Sequence, residues 1–118
     1  MKTTVLVDGR NVQRSIWPNV PDAELVERCC AWARREGVHV LLVFDGAVGA
    51  PDADREDCTV VGTGRESADD WLTREAGRLA AAELPFQLVT SDRELRRRAG
   101  SGAESVTGGG SFLRALSR

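Results

Sequence analysis

The sequence predicts a three-layer α/β/α domain built on a mainly parallel sheet of four to five strands. Short, continuous apolar runs recur along the chain, the pattern of strands buried on both faces. Segments with helical apolar spacing separate those runs, and this alternation is what parallel strands joined by crossover helices require. Four aspartates, Asp8, Asp45, Asp69 and Asp92, stand where a strand-like run ends or where the next helix begins.

The elements follow in order. Thr4-Val5-Leu6-Val7 is the first strand and stops at Asp8-Gly9. Pro18 and Pro21 break the chain before Asp22, which can cap a helix running through Leu25, Val26, Cys29, Trp32 and Ala33 to a terminating Gly37. Val38 to Phe44 is a second buried strand, closed by Asp45-Gly46, and the polar, proline-containing stretch from Ala47 to Asp57 predicts a mobile loop. Cys58 to Val61 makes a third, short strand. Ser67 opens the next helix as N-cap, with Asp70 in the reciprocal position three residues on. Phe86 to Val89 is the fourth strand, Ser91 caps the helix after it with Glu94 closing its box, and Gly100 ends that helix. Glu104 to Thr107 is a fifth strand, and Gly108-Gly109-Gly110-Ser111 leads into a final helix through Phe112, Leu113 and Leu116.

A chain of 118 residues with 42% hydrophobic content has room for one domain, spanning 1–118. It contains no run of about 18 apolar residues, and Lys2-Thr3 passes into the first strand without a cleavable signal pattern. The expectation is a cytoplasmic protein with no membrane association. Cys29, Cys30 and Cys58 are odd in number and have no CxxC spacing, so buried free thiols are expected instead of disulfides or a zinc site. The single histidine, His39, lies within a strand and reads as structural. The net charge is −2, yet all of the 16 basic residues except Lys2 are arginines, whose planar fork suits phosphate. Arg10, Arg14, Arg65, Arg93 and the run Arg96-Arg97-Arg98 crowd towards the strand ends, although for any one of them a solvated helix face is the simpler account.

In an open parallel sheet, ligands bind in the crevice beyond the carboxyl ends of the strands. Carboxylates gathered there repel one another unless a hard cation neutralises them. Each acid also has an ordinary explanation: Asp8-Gly9 and Asp45-Gly46 are turn pairs, and first helical turns favour acids such as Asp69 and Asp92 through the helix dipole. A turn or a helix start accepts Asn, Ser or Gly equally well, so Asp at all four approaches to one crevice points to a metal site. Helical spacing separates the adjacent pair. Asp69 shares a stripe with Leu72, Ala76, Leu79 and Ala80, whereas Asp70 lies with Arg74 and Gly77 on the outer side. Asp69 is therefore assigned to chemistry and Asp70 to capping.

The segments Val7-Asp8-Gly9-Arg10-Asn11-Val12, Val43-Phe44-Asp45-Gly46, Glu66-Ser67-Ala68-Asp69-Asp70 and Val89-Thr90-Ser91-Asp92 occur in one order and spacing, with a closing Ser111-Phe112-Leu113 helix. In these the chain resembles the NYN domain family of PIN-like metal-dependent ribonucleases, and its bacterial YacP-like branch in particular. The resemblance covers nearly the whole chain and implies a PIN-like, Rossmann-like fold. It implies that Asp8, Asp69 and Asp92 hold Mg²⁺ or Mn²⁺, with Asp45 supporting them directly or through water. Asn11 would orient Asp8 or contact substrate, and Thr90 and Ser91 would steady the site from behind. Related enzymes cut single-stranded or flexible RNA internally. The chain departs from the broader PIN pattern in having its second acid, Asp45, at a strand end in place of a Glu on a helix, so its reach is shorter and it is the least secure ligand.

The implied chemistry is hydrolysis by metal-activated water, needing no catalytic histidine and leaving a 5′-phosphate and a 3′-hydroxyl. Arg10, Arg14, Arg65 and Arg93 would grip the RNA backbone. Trp17 either stacks on an unpaired base or packs on the domain, while Trp32 and Trp71 read as packing residues. RNA is the expected partner, with the ribosome as one setting for it, and the expected state is a monomer or weak homodimer. Other phosphotransfer folds fit less well. A haloacid-dehalogenase phosphatase needs an acid where Arg10 stands, no GxxxxGK[ST] cradle is present, and a response-regulator receiver needs a lysine late in the chain. The alternatives from other classes are a non-catalytic RNA- or ribosome-binding module of the same fold, against which the four retained acids argue, and the toxin component of a toxin–antitoxin pair.

Overall fold

A computed structural model describes residues 2–47 and 54–117. Strand β1 (Thr4–Asp8) is followed by helices α1 (Gly9–Gln13) and α2 (Asp22–Glu36), then by β2 (His39–Phe44), β3 (Asp54–Arg55) and β4 (Cys58–Gly62). Helix α3 (Ala68–Ala81) leads to β5 (Phe86–Val89), and α4 (Arg93–Ala99), β6 (Val106–Thr107) and α5 (Gly109–Leu116) complete the order. The strands lie side by side as β3-β4-β2-β1-β5-β6. Every pairing is parallel except β3 with β4. Register aligns Asp8 with Val43, Phe44 with Gly62, and Val7 with Val89, so the parallel strands finish along one edge of the sheet.

Strand periodicity divides the core into two halves. Val5 and Val7 of β1, Val40, Leu42 and Phe44 of β2, and Val89 of β5 pack with apolar residues of α1, α2 and α5. The alternate residues Leu6, Val43 and Leu88 pack with Ala68, Leu72, Ala76 and Leu79 of α3 and Leu95 and Ala99 of α4. Sheet between two helical layers is the predicted three-layer architecture. Trp32 meets Phe112 edge to face at 5.1 Å between ring centroids, which joins α2 to α5. Trp71 packs against the opposite cluster.

The structure adjusts several elements. The described sheet has six strands where four to five were expected, because Asp54–Arg55 pairs antiparallel with Thr59 and Cys58 at the edge. That pair falls inside the stretch expected as a mobile loop, of which residues 48–53 lie outside the described residues. Helix α1 was not anticipated: five residues are too few to display an apolar period. Its first residue must be glycine on spatial grounds, since a Cβ there would meet the Phe44 ring and the Val43 carbonyl oxygen at 2.9 Å. Asp22 is the first residue of α2 and not its cap, which is Pro21. Asp92 and not Ser91 caps α4. Gly37 ends α2 in the left-handed conformation at φ 69°, as its position predicts. Cys29, Cys30 and Cys58 are buried and free. Among the described residues no helix is long and apolar enough to cross a membrane.

Candidate functional site

The same alternation that divides the core aims the acids. Asp8 is two residues beyond Leu6, Asp45 two beyond Val43, and Thr90 two beyond Leu88, so each emerges on the side of α3 and α4. From that side α3 presents Asp69 in its first turn and α4 presents Asp92 at its N-cap. All four predicted aspartates line one cleft of about 240 Å³. Asn11, Arg10 and Arg14 form its other wall.

Asp8 is 7% exposed and Thr90 is fully buried. The Thr90 hydroxyl donates to Asp8 Oδ2 at 2.9 Å and accepts the Asp92 amide at 3.1 Å. The hydroxyl accepts the amide on one lone pair and gives its single proton to Asp8, and this bond holds the carboxylate in one orientation. Asp92 Oδ1 accepts the Leu95 amide at 2.9 Å, which spends one carboxylate oxygen on capping. Asp45 is exposed at the rim and its Oδ1 accepts the Ala68 amide at 3.3 Å. Asp69 is half-buried and its carboxylate makes no hydrogen bond among the described residues. Asp70 is exposed, donates its amide to the Ser67 hydroxyl at 3.0 Å and takes Arg98 at 2.9 Å. The division between Asp69 inside and Asp70 outside is the one helical spacing predicted.

Burial pushes the Asp8 carboxyl above the usual carboxylate range; the Thr90 hydroxyl and the Asn11 amide oppose this, and Asp69 and Asp92 add to it. Burial, then Asp92, raises Asp69, with Arg98 opposing and Asp45 and Asp70 contributing. The acids therefore sense one another's charge, which a bound cation would cancel. Among the described residues no three of the His, Cys, Asp and Glu side chains are set closely enough to form a metal cage. The donor set is nonetheless of the hard-oxygen kind that suits Mg²⁺ or Mn²⁺, and Mg²⁺ keeps several waters and takes one or two carboxylates directly. A cation in this cleft would be one bound in that partly hydrated way.

The neighbouring residues are a lattice of backbone contacts. The Asn11 side-chain oxygen accepts the Ser91 amide at 2.8 Å, and Ser91 Oγ in turn accepts the Gly109 amide at 2.8 Å. A Cβ on Gly109 would come within 2.7 Å of Asn11 Oδ1, so α5 begins with glycine where it approaches α1. Arg96 Nε donates to the Thr90 carbonyl at 2.8 Å. Gly109 and Arg96 were not assigned from sequence; the only signals were a glycine run and one arginine among three. Arg10 bonds Gln13, Asp22 and the Ala47 carbonyl and lies 4.8 Å over the Phe44 ring, so it braces the wall of the cleft. Arg14 lines the cleft and has no hydrogen bond or ion pair from its side chain among the described residues. Arg65 and Arg93 are exposed and do not line it. His39 bridges the Glu56 carbonyl and the Thr59 hydroxyl, a structural role. Burial raises the Cys29 and Cys58 thiols, which makes them inert.

No protein-family model and no curated protein matches this sequence. Solved structures do match. The crystal structure of Rae1 (YacP) from Bacillus subtilis superposes with a TM-score of 0.74 at 22% identity, covering 99% of this chain and 74% of that one. A tryptophan-to-leucine mutant of the same protein gives 0.75 at 23% identity, over 98% of this chain and 75% of that one. The chain has the fold of Rae1. Rae1 is an NYN-domain protein, so the fold found is the fold of the family that the four motifs resemble. The likeness to Rae1 extends over nearly the whole chain, and the acid cleft lies within it.

Proposed function

We propose that this protein is a metal-dependent endoribonuclease that hydrolyses phosphodiester bonds in single-stranded or flexible RNA. The observation that carries the reading is the meeting of Asp8, Asp45, Asp69 and Asp92 in one cleft at the carboxyl edge of a parallel sheet, with two of them raised by burial and by the others. Bound Mg²⁺ or Mn²⁺ would supply charge to the phosphoryl oxygens and a water of lowered pKa as nucleophile. Asp8 would hold it with a carboxylate fixed by Thr90. Asp92 has its second oxygen to offer, and Asp69 and Asp45 would take the ion or its waters from the facing side. Arg14 would receive a phosphate of the strand, and Arg65 and Arg93 would serve the backbone farther out.

The rest of the site bears on the route. The described cysteines are buried, with the Cys29 and Cys58 thiols pushed up, and the one histidine is tied into the sheet at the start of β2. A covalent intermediate has no candidate nucleophile among these groups. Direct hydrolysis leaves a 5′-phosphate and a 3′-hydroxyl. RNA is the proposed partner, with the ribosome as one place where it is met. A second reading, a non-catalytic RNA-binding module of this fold, is favoured by the absence of a closed three-acid cage among the described residues.

The test is cleavage of a fluorescent single-stranded RNA in Mn²⁺ with analysis of product ends. Wild type should yield 5′-phosphate ends and stop in excess chelator, and Asp8→Asn and Asp92→Asn should each be at least about 100-fold slower. Equal cleavage by all three proteins sinks the proposal. RNA binding without cleavage selects the second reading.

A further inference from the structure

We propose that Trp17 is the stacking platform of a single-stranded RNA subsite, holding one unpaired nucleobase of a strand that Arg14 leads out of the acid cleft. This rests on the RNA reading above and names how the strand is held. Trp17 is 84% exposed and Ile16 51%, and they are the exposed large hydrophobic residues among the described ones. An indole buries a large area when it packs, so one left in water gains the fold nothing at that position.

The loop that carries it is held firmly. Gln13, one of few buried polar side chains among the described residues, closes the neck: its Nε2 donates to the Val20 carbonyl at 2.9 Å, and the Val20 amide donates to the Gln13 carbonyl at 3.3 Å. The Ser15 hydroxyl donates to the Val12 carbonyl at 2.6 Å. Ordering entropy is thus spent before any ligand arrives, which is the condition for an aromatic platform to bind well.

The surface between cleft and loop is continuous. Arg14 lines both the acid cleft and a neighbouring depression of about 420 Å³. That depression shares Asn19, Val20 and Pro21 with a groove of about 570 Å³, which is lined also by Ile16 and Pro18, the residues before and after Trp17 in the chain. Arg114 also lines the groove, bonded among the described residues to the Ser111 hydroxyl and to no acid. Arg14 in the depression and Arg114 in the groove pair with no acid among the described residues, and cations set along an exposed indole's loop suit a polymer with phosphates between flat bases. Nucleic acid in single-stranded form meets that description, because its bases have free faces.

The experiment is fluorescence anisotropy with a labelled 12-nucleotide oligoadenylate in Mg²⁺, using the Asp8→Asn protein so that the RNA stays intact. Adding Trp17→Ala should weaken binding about 5- to 150-fold, while Trp17→Phe should retain most of it. Oligonucleotides with one abasic position, walked along the strand, should reveal a position at which the missing base costs as much as Trp17→Ala and at which the mutation costs nothing more. Binding of a blunt RNA duplex should not change. Unaltered oligoadenylate affinity in Trp17→Ala overturns the proposal, and so does a loss of self-association in sedimentation with RNA binding intact, which would assign the patch to a second copy of this chain. The two readings fail separately. Trp17-dependent binding by a protein that cleaves nothing overturns the nuclease assignment alone, whereas a cleaving wild type whose Trp17→Ala form binds equally well overturns the platform alone.

Discussion

Thr90 is the residue on which the acid cleft turns, since its buried hydroxyl ties the Asp92 amide to the Asp8 carboxylate. Thr90→Val keeps the shape and removes both bonds, leaving the buried Asp8 carboxylate with the Asn11 amide but without its hydroxyl donor. The variant should lose about 1–3 kcal/mol in urea denaturation, and Thr90→Ser should recover most of it; equal midpoints for Val and wild type would contradict the bridge. Thr90 was legible in sequence only as a companion of Asp92. Its bond to Asp8 joins positions 82 residues apart, which no local pattern records. The adjacent pair Asp69 and Asp70 was readable for the opposite reason: helical spacing is local, and one residue turns the side chain by about 100°. Arg10 was read as an RNA contact, and the structure gives it a second role that no local pattern shows: its ion pair with Asp22 at 2.6 Å depends on how α1 meets α2 and braces the cleft wall.

At the scale of elements, α4 shows how closely function and capping are joined. Its N-cap is Asp92, so one carboxylate both stops the chain of unsatisfied amides and faces the cleft. Asp and Asn are equivalent caps, whereas Ala is a poor one. Asp92→Asn should therefore lose cleavage with its unfolding midpoint nearly unchanged. Asp92→Ala should lose cleavage and about 1 kcal/mol of stability as well, and equal destabilisation by the two would break the separation. The sequence reading placed the cap one residue early because Ser91 is as good a cap by type. Tertiary structure decided the matter by engaging Ser91 Oγ with the Gly109 amide and the Ser91 amide with Asn11. The strands and the three longer apolar helices were readable because burial on two faces leaves unbroken apolar runs. Helix α1 and strand β3 were not, since five and two residues carry too little pattern and are held by what they pack or pair with.

For the whole molecule, a sheet whose parallel strands end together concentrates negative charge at one edge. Burial raises Asp8, so the folded state binds its proton more tightly than the unfolded chain. The stability this contributes is complete below the ordinary carboxyl value of 3.8 and is lost as pH rises through the raised folded value. In chelator, Asp8→Asn should gain melting temperature relative to wild type as pH rises from acid to neutral. Surface carboxylates lowered by arginine or lysine partners, such as Glu27 and Asp57, act in the opposite sense but are common to both proteins and cancel in the difference. A difference that stays flat with pH would deny the strain at Asp8. The same charge should be relieved by a divalent cation, and this can be measured without knowing which RNA the protein meets. Isothermal titration of Mn²⁺ into wild type and Asp8→Asn is the direct test. Saturable uptake by wild type, weakened at least about tenfold in Asp8→Asn, is the result expected if the aspartates hold the ion; equal uptake by both proteins, or none by either, would contradict it.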